Sequence, residues 1–181
     1  MALEFTTSYL ADSLSILRYY KKLGEQAMAQ IPDAALTATL DPESNSIAIV
    51  VKHLSGNFQA RWKDVLASDG EPFRDRDAEF EAGAIDRDAV MAMWEAGWKT
   101  LLDALAALSE ADLGRTIQIR GERHSVMQAI NRATTHCSYH VGQIVFLAKH
   151  LAGQRWTSLT IPRGKSKEYH ARVVSGEISH R

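Results

Sequence analysis

The stretch NRATTHCSYHVGQIVFLAKHL, residues 131–151, decides the fold. Its apolar residues recur at intervals of three and four, which predicts an amphipathic helix with one face in a core. His136 and His140 interrupt it four residues apart, so their β-carbons lie about 5–6 Å apart on one face. Two imidazoles so placed can reach one metal ion, or can be hydrogen-bonded polar residues at the core edge.

Three earlier segments share this apolar spacing and predict three more helices. In chain order the four helices are expected at about Leu3–Ile31, from after DPESNS (41–46) to near ASDG (67–70), Val90–Leu108 and Ser125–Leu151. Pro32 stops the first helix, side chains of DPESNS can cap the second, and Gly153 can cap the fourth. The charged segment EPFRDRDAEFEAGAID (71–86) is expected to be a long loop between the second and third helices.

The segment GRTIQIRGERHS (114–125) alternates apolar and polar residues around a glycine, which predicts a short strand or hairpin. After Gly153 the tail shows no helical period of useful length. Trp156, Leu159 and Ile161 are expected to hold its first half against the body, with its last residues mobile. Together these features predict an all-α four-helix bundle of the up-down-up-down type over residues 1–152, with a packed tail at 153–181.

Composition excludes several classes of function. The 181 residues are 45% hydrophobic with a formal net charge of -1, which is typical of one soluble domain without the basic stripe of nucleic-acid-binding proteins. The first twenty residues lack a basic start followed by an apolar h-region, so secretion is not expected, and no apolar run approaches the roughly 20 residues that span a bilayer. Cys137 is the lone cysteine and is expected to be a core thiol. A lone cysteine excludes an internal disulfide, so we expect a cytoplasmic protein. From the charge balance and the lack of a spanning run, we expect it to bind neither nucleic acid nor membrane.

A third histidine strengthens the metal interpretation. His53 adjoins Leu54 on the apolar stripe of the second helix, so both helices direct imidazole toward the edge of one interior. Three neutral nitrogens bind zinc or a similar late divalent metal and leave a coordination position open, as catalytic sites require. Asn57, one turn beyond His53, is the predicted side chain supporting that ligand.

The segments VKHLSGN (51–57) and HCSYHVGQI (136–144) resemble the metal-site segments of the DinB/YfiT-like superfamily of four-helix bundle proteins. The resemblance covers roughly residues 1–152. It implies that His53, His136 and His140 are the metal ligands, that Gly142 with Gln143 forms the family's Gly-Gln element, and that the protein is a homodimer. The stretches RWKDVLASDGEPFRDRDAEF (61–80) and WTSLTIPRGKSKEYH (156–170) resemble a subgroup of that superfamily whose function is not established.

The resemblance also implies a chemistry. In better understood relatives the metal holds the sulfur of a small thiol such as bacillithiol, mycothiol or glutathione. We therefore expect a metal-dependent enzyme of the thiol S-transferase type that acts on a small molecule, with zinc as the metal and nickel, iron or manganese as alternatives. The sequence assigns no catalytic residue beyond the ligands.

Two alternative functions, and two roles for the arginine-rich loop and tail, stay open at this stage. The protein can be a non-enzymatic stress-response or binding module with a vestigial or structural metal, or a metal-assisted hydrolase. A hydrolase needs a general base, and the residues between the two histidines, Cys137, Ser138 and Tyr139, include no carboxylate. The arginine-rich loop and tail can line an anionic pocket, although a solvated, ion-paired surface is favoured for these residues: Arg61, Arg74, Arg76, Arg163 and Lys165.

Overall fold

The four segments with apolar spacing each form a long helix in the computed structural model. The structure describes residues 8–67, 69–81 and 83–179. This described part of the chain is mostly helical, with six α-helices and one two-stranded sheet. The helices are α1 Tyr9–Met28, α2 Ile47–Trp62, α3 Arg76–Glu79, α4 Arg87–Ala106, α5 Val126–Ala152 and α6 Ser166–Val174, and the strands are β1 Thr116–Ile119 and β2 Glu122–Ser125. No helix in these ranges has the length and apolarity needed to cross a membrane.

Each long helix begins at a side chain that accepts a hydrogen bond from a backbone amide three residues on. These N-caps are Ser8, Ser46, Asp86 and Ser125. Such a cap contributes about 1 kcal/mol, because it satisfies an amide that the helix itself leaves unpaired. Ser46 is the last residue of DPESNS, so the predicted capping of the second helix is confirmed. The predicted C-cap Gly153 has a φ of 56°, a conformation that glycine adopts without strain.

The four long helices pack in a closed order around the core. Helix α2 packs on α4 and α5, and α1 packs on the same two helices. Gly97 of α4 allows a close approach to α2, because a β-carbon there would lie 2.7 Å from Cα of Ser55. The aromatic side chains of Phe58, Trp94 and Trp98 are fully buried next to this crossing. Large buried rings and a close backbone contact therefore fix the position of α2.

The predicted hairpin is confirmed over β1 and β2, which pair antiparallel with Ile119 opposite Glu122. Its two turn residues, Arg120 and Gly121, have φ values of 55° and 76°, as in the type I′ turns that match the twist of hairpin strands. The turn is tied to the loop after α2 by the Arg120 side chain, which donates to Glu71, and by the Gly121 amide. These hydrogen bonds hold the hairpin and that loop side by side.

The ends of the chain differ from the prediction. The tail contains a helix, α6, that the apolar spacing did not indicate, because none of its residues is buried and no apolar stripe marks it. Trp156 and Leu159 pack on the core as expected, whereas Ile161 is exposed. The first helix ends at Met28 and not at Ile31. The predicted start of this helix at Leu3 lies outside the described residues. Residues 180 and 181, the last two of the end expected to be mobile, also lie outside them.

Candidate metal centre

Three histidines from two helices meet at one point. His53 lies on α2, and His136 and His140 lie one turn apart on α5. Their ring centroids are 4.5 to 5.1 Å apart. One nitrogen of each lies within 4.8 Å of the other two, and no second group of this kind occurs in the described ranges. The histidines selected from the sequence are therefore brought together, and their ligand role stays a prediction.

The nitrogens of His53 and His136 are spaced for a shared ion. Their two Nε2 atoms lie 3.1 Å apart. Two nitrogens at about 2.0–2.1 Å from one tetrahedral zinc ion lie roughly 3.3 Å from each other. Lone pairs this close repel unless a proton or a cation lies between them. The spacing thus fits two ligands of one ion.

Hydrogen bonds fix the tautomers of two of the rings. His53 Nδ1 lies 3.0 Å from Oε2 of Glu79, which as a carboxylate can only accept, so the Nδ1 atom carries the proton. Arg74 Nη2 lies farther from the same nitrogen, at 3.4 Å. His140 Nδ1 donates over 2.8 Å to the amide oxygen of Gln143. In both rings Nε2 is left as the lone-pair nitrogen, which is the form that binds a metal.

His136 has one nitrogen without a hydrogen-bond partner. Its Nδ1 atom is buried, and no described residue offers it a hydrogen bond. An orphaned imidazole nitrogen is costly in a core. Because Nε2 is the nitrogen that faces His53, this unpaired Nδ1 points away from a shared ion, so the fit of a metal rests on the spacing of the nitrogens and on the pure imidazole donor set.

Burial keeps the α5 imidazoles neutral. Burial, the neighbouring histidine rings and the nearby guanidiniums lower the pKa of His136 to about 3. Burial also lowers the pKa of His140, although its bond to Gln143 opposes the effect. Neutral rings present lone pairs without first losing a proton at neutral pH. The thiol of Cys137, between them in sequence, is fully buried as predicted, and burial raises its pKa.

Glu79 orients the His53 ring by accepting the hydrogen bond from its Nδ1 atom. Its carboxylate also accepts two hydrogen bonds of 2.6 Å from Arg74, one on each oxygen. Burial alone raises the pKa of Glu79, but the bonds from His53 and Arg74 more than offset this, so the pKa lies below its ordinary value. An ionised carboxylate that orients a ligating imidazole is a recurrent feature of metal sites.

Gly56 makes room for this carboxylate. A β-carbon at Gly56 would overlap Oε1 of Glu79 and lie 2.8 Å from its Cδ. The glycine of VKHLSGN is therefore required by the short helix α3, which presses against α2. Asn57, the predicted support for His53, lines a cavity next to that ring, and the bond to His53 Nδ1 comes from Glu79. A supporting role for Asn57 stays a prediction.

Sequence reasoning missed Glu79. The residue lies 26 positions after His53, in a segment interpreted as loop, and no spacing rule links the two. The predicted solvated surface is wrong for Arg74 and Arg61, whose side chains are 3% and 10% exposed and buried in ion pairs. Lys165, by contrast, forms an exposed pair with Glu168 as expected.

A cavity of about 480 Å³ opens beside the histidines. His53 and His136 are part of its lining. The hairpin and the loop after α2 supply further lining residues, among them Asp69, Gly70, Ile117 and Ile119. The volume falls in the range of about 300–1,000 Å³ usual for small-molecule sites.

The chain matches the sequence model of a family described as "Protein of unknown function (DUF1572)" over residues 4–165. No curated protein matches it.

Proposed function

Because the chain belongs to the DUF1572 family, whose description names no activity, we propose its function from the site: a metal-dependent enzyme of the thiol S-transferase type. The observation that carries the proposal is the meeting of His53, His136 and His140 beside a cavity large enough for a small molecule. Three imidazoles leave a coordination position open, which separates catalytic from closed structural sites.

We further propose that α1, α2, α4 and α5 form a four-helix bundle of the DinB/YfiT-like kind. The closed packing order of these helices supports the proposal. So does the placement of the ligands, since bundle proteins build metal sites from side chains on facing helices. The superfamily pattern of one histidine on the second long helix and HxxxH on the last also agrees. The resemblance further favours a homodimer, and the lone buried thiol of Cys137 agrees with a reducing cytoplasm.

The donor set favours zinc, with nickel and iron as alternatives that imidazole also suits, and manganese as a weaker one because it prefers oxygen ligands. A divalent metal held there supplies a Lewis acid that keeps a bound thiol deprotonated. The chain itself supplies the rest. Glu79 and Gln143 hold two rings in the tautomer that binds, and the cavity orients the electrophile and excludes water.

A hydrolase is less well supported. It needs a carboxylate free to act as general base near the histidines. Glu79 accepts hydrogen bonds on both oxygens from Arg74, and its Oε2 also faces His53. This carboxylate orients a ring and holds a buried guanidinium, and its side chain is only 7% exposed, so it is poorly placed to activate a water molecule.

Elemental analysis combined with a thiol-conjugation assay tests the proposal. Untagged protein is purified without chelator, and wild type is compared with His140→Ala and with His150→Ala, an exposed histidine on the same helix. We expect wild type and His150→Ala to hold one ion per chain and to conjugate bacillithiol, mycothiol or glutathione to an aryl halide. His140→Ala should do neither. Absence of metal from wild type contradicts the site, and bound metal without conjugation by any thiol favours the non-enzymatic module.

A further inference from the structure

The cavity beside the histidines has more arginines than carboxylates at its walls. Four arginines line it with one carboxylate: Arg61, Arg76, Arg120 and Arg132 with Asp69. Arg74, Glu71 and Glu79 belong to the same ion-pair network without lining the cavity. Counted together, five guanidiniums and three carboxylates leave two positive charges in excess, in a chain whose formal net charge is -1. Partly buried charges of one sign attract ligands of the other.

Glu71 is shared among too many of these arginines to neutralise them. Its Oε1 accepts from Arg76 at 2.9 Å and from Arg120 at 3.1 Å. Its Oε2 accepts from Arg61 at 2.7 Å and lies 3.6 Å from a nitrogen of Arg74. One carboxylate therefore contacts four guanidiniums, and donors remain available on the lining residues Arg76 and Arg120, whose side chains are 39% and 47% exposed.

Of these arginines, Arg132 has the side chain that is most available to a ligand. It lies on α5 one turn before His136 and lines the cavity. In the described part of the chain, no hydrogen bond or ion pair engages its exposed side chain. A guanidinium presents five donors in a planar fork that matches carboxylate and phosphate oxygens. Such a group, free at the edge of a cavity, is poised to receive an anion.

Apolar side chains line part of the cavity, beside polar ones such as Asn57. Trp62 and Val65 approach from the end of α2, and Ile117 and Ile119 from β1. These side chains offer a ligand an apolar contact surface in the same cavity as the arginines and the histidines. A purely inorganic anion would leave that surface unused.

We propose that this cavity binds a small organic anion, whose carboxylate or phosphonate group pairs with Arg132 and whose apolar body packs on β1 and the end of α2. The inference deepens the proposed function by naming a substrate class for the same site. It rests on that function only in taking the anion as a substrate, because the pairing with Arg132 requires no metal.

Isothermal titration calorimetry on the full chain tests this inference. The probes are phenylbutyrate, its neutral counterpart phenylbutyramide, and phenylphosphonate, each titrated at millimolar concentration into chelator-treated and zinc-loaded protein. The variants are Arg132→Gln and the control Arg18→Gln, which removes the same charge from an exposed position on α1 that does not line the cavity. Circular dichroism melts verify that both variants are folded.

We expect the anions to bind wild type and Arg18→Gln alike and the amide to bind far more weakly. Arg132→Gln should weaken anion binding by about ten- to hundredfold, the usual effect of a hydrogen-bonded charge pair. The ratio of the two anion affinities then distinguishes a carboxylate from a phosphonate ligand. Equal binding of acid and amide, equal loss in both variants, or no binding of any probe overturns the inference.

The two proposals fail separately. Anion binding that appears only with zinc and is unchanged in Arg132→Gln overturns this inference and leaves the metal site in place. Arg132-dependent binding in a protein that takes up no zinc supports the inference and contradicts the proposed function.

Discussion

Replacing Gly56 with alanine should damage the metal centre without touching a ligand. The added methyl group would overlap the Glu79 carboxylate, so this carboxylate must leave its place against α2. Gly142 provides a matched control. It also lies inside a helix, α5, but it is exposed, and no described atom lies within 4 Å of the position of its β-carbon.

The two substitutions should change stability in opposite directions. Alanine is favoured over glycine inside a helix by about 0.8–1.0 kcal/mol, so Gly142→Ala should raise the free energy of unfolding by about that amount. Gly56→Ala gains the same term but separates Glu79 from Arg74, whose side chain is 3% exposed. Breaking a buried ion pair costs about 3–5 kcal/mol. The net expectation is a loss of about 2–4 kcal/mol, or roughly 4–16 °C in Tm.

Urea denaturation measures both variants, and competition with a chromogenic chelator measures zinc affinity. Since Gly56→Ala also removes the acceptor of His53 Nδ1, we expect it to weaken zinc binding by about ten- to hundredfold, with Gly142→Ala unchanged. In a Glu79→Ala background the Gly56→Ala penalty should disappear, because the clashing group is gone. Equal stability of Gly56→Ala and Gly142→Ala would refute the reasoning.

Three further outcomes follow from other parts of the structure. Hydrogen bonds from the side chain and backbone of Ser109, together with Arg115, lower the pKa of Asp112 to about 2. Its ionised carboxylate therefore contributes to the free energy of unfolding fully above its unfolded pKa of about 3.9. The stability gap between wild type and Asp112→Ala should therefore hold from neutral pH down to about pH 5 and shrink toward pH 2, and a gap that widens with acid in urea titrations contradicts this. Cys137 is fully buried, so a thiol reagent should label it only after unfolding, and fast labelling of native protein argues against its place in the core. His140→Ala should bind no zinc yet unfold cooperatively by circular dichroism, because the apolar core does not depend on an ion; a variant and chelated wild type that are both unfolded at room temperature indicate a structural metal instead.

The parts of the fold that could be predicted from sequence are those encoded by local periodicity. Apolar residues at intervals of three and four indicate α2 and α5, and that same spacing places His53 and His136 at the edge of the core. The hairpin was predictable because its residues alternate around Gly121. In each case the signal lies within one segment.

The parts that could not be predicted depend on contacts between segments. Glu79 reaches His53 only because α3 folds back onto α2 at Gly56, and a sequence without that contact looks like a charged loop. Arg132 stands out only when its neighbours are seen to be paired and no described residue pairs with its own side chain. Helix α6 lacks an apolar stripe because it buries no residue. The spacing of apolar residues does not predict long-range packing or the balance of charges between segments.

The central claim is that three histidines hold one divalent metal, and anomalous diffraction from zinc-loaded crystals tests it most directly. Data collected above and below the zinc absorption edge should show a single strong peak per chain, about 2.0–2.1 Å from a nitrogen of His53, His136 and His140. Crystals of zinc-treated protein with no anomalous peak among the three rings, or with the only peak elsewhere on the chain, would contradict the account.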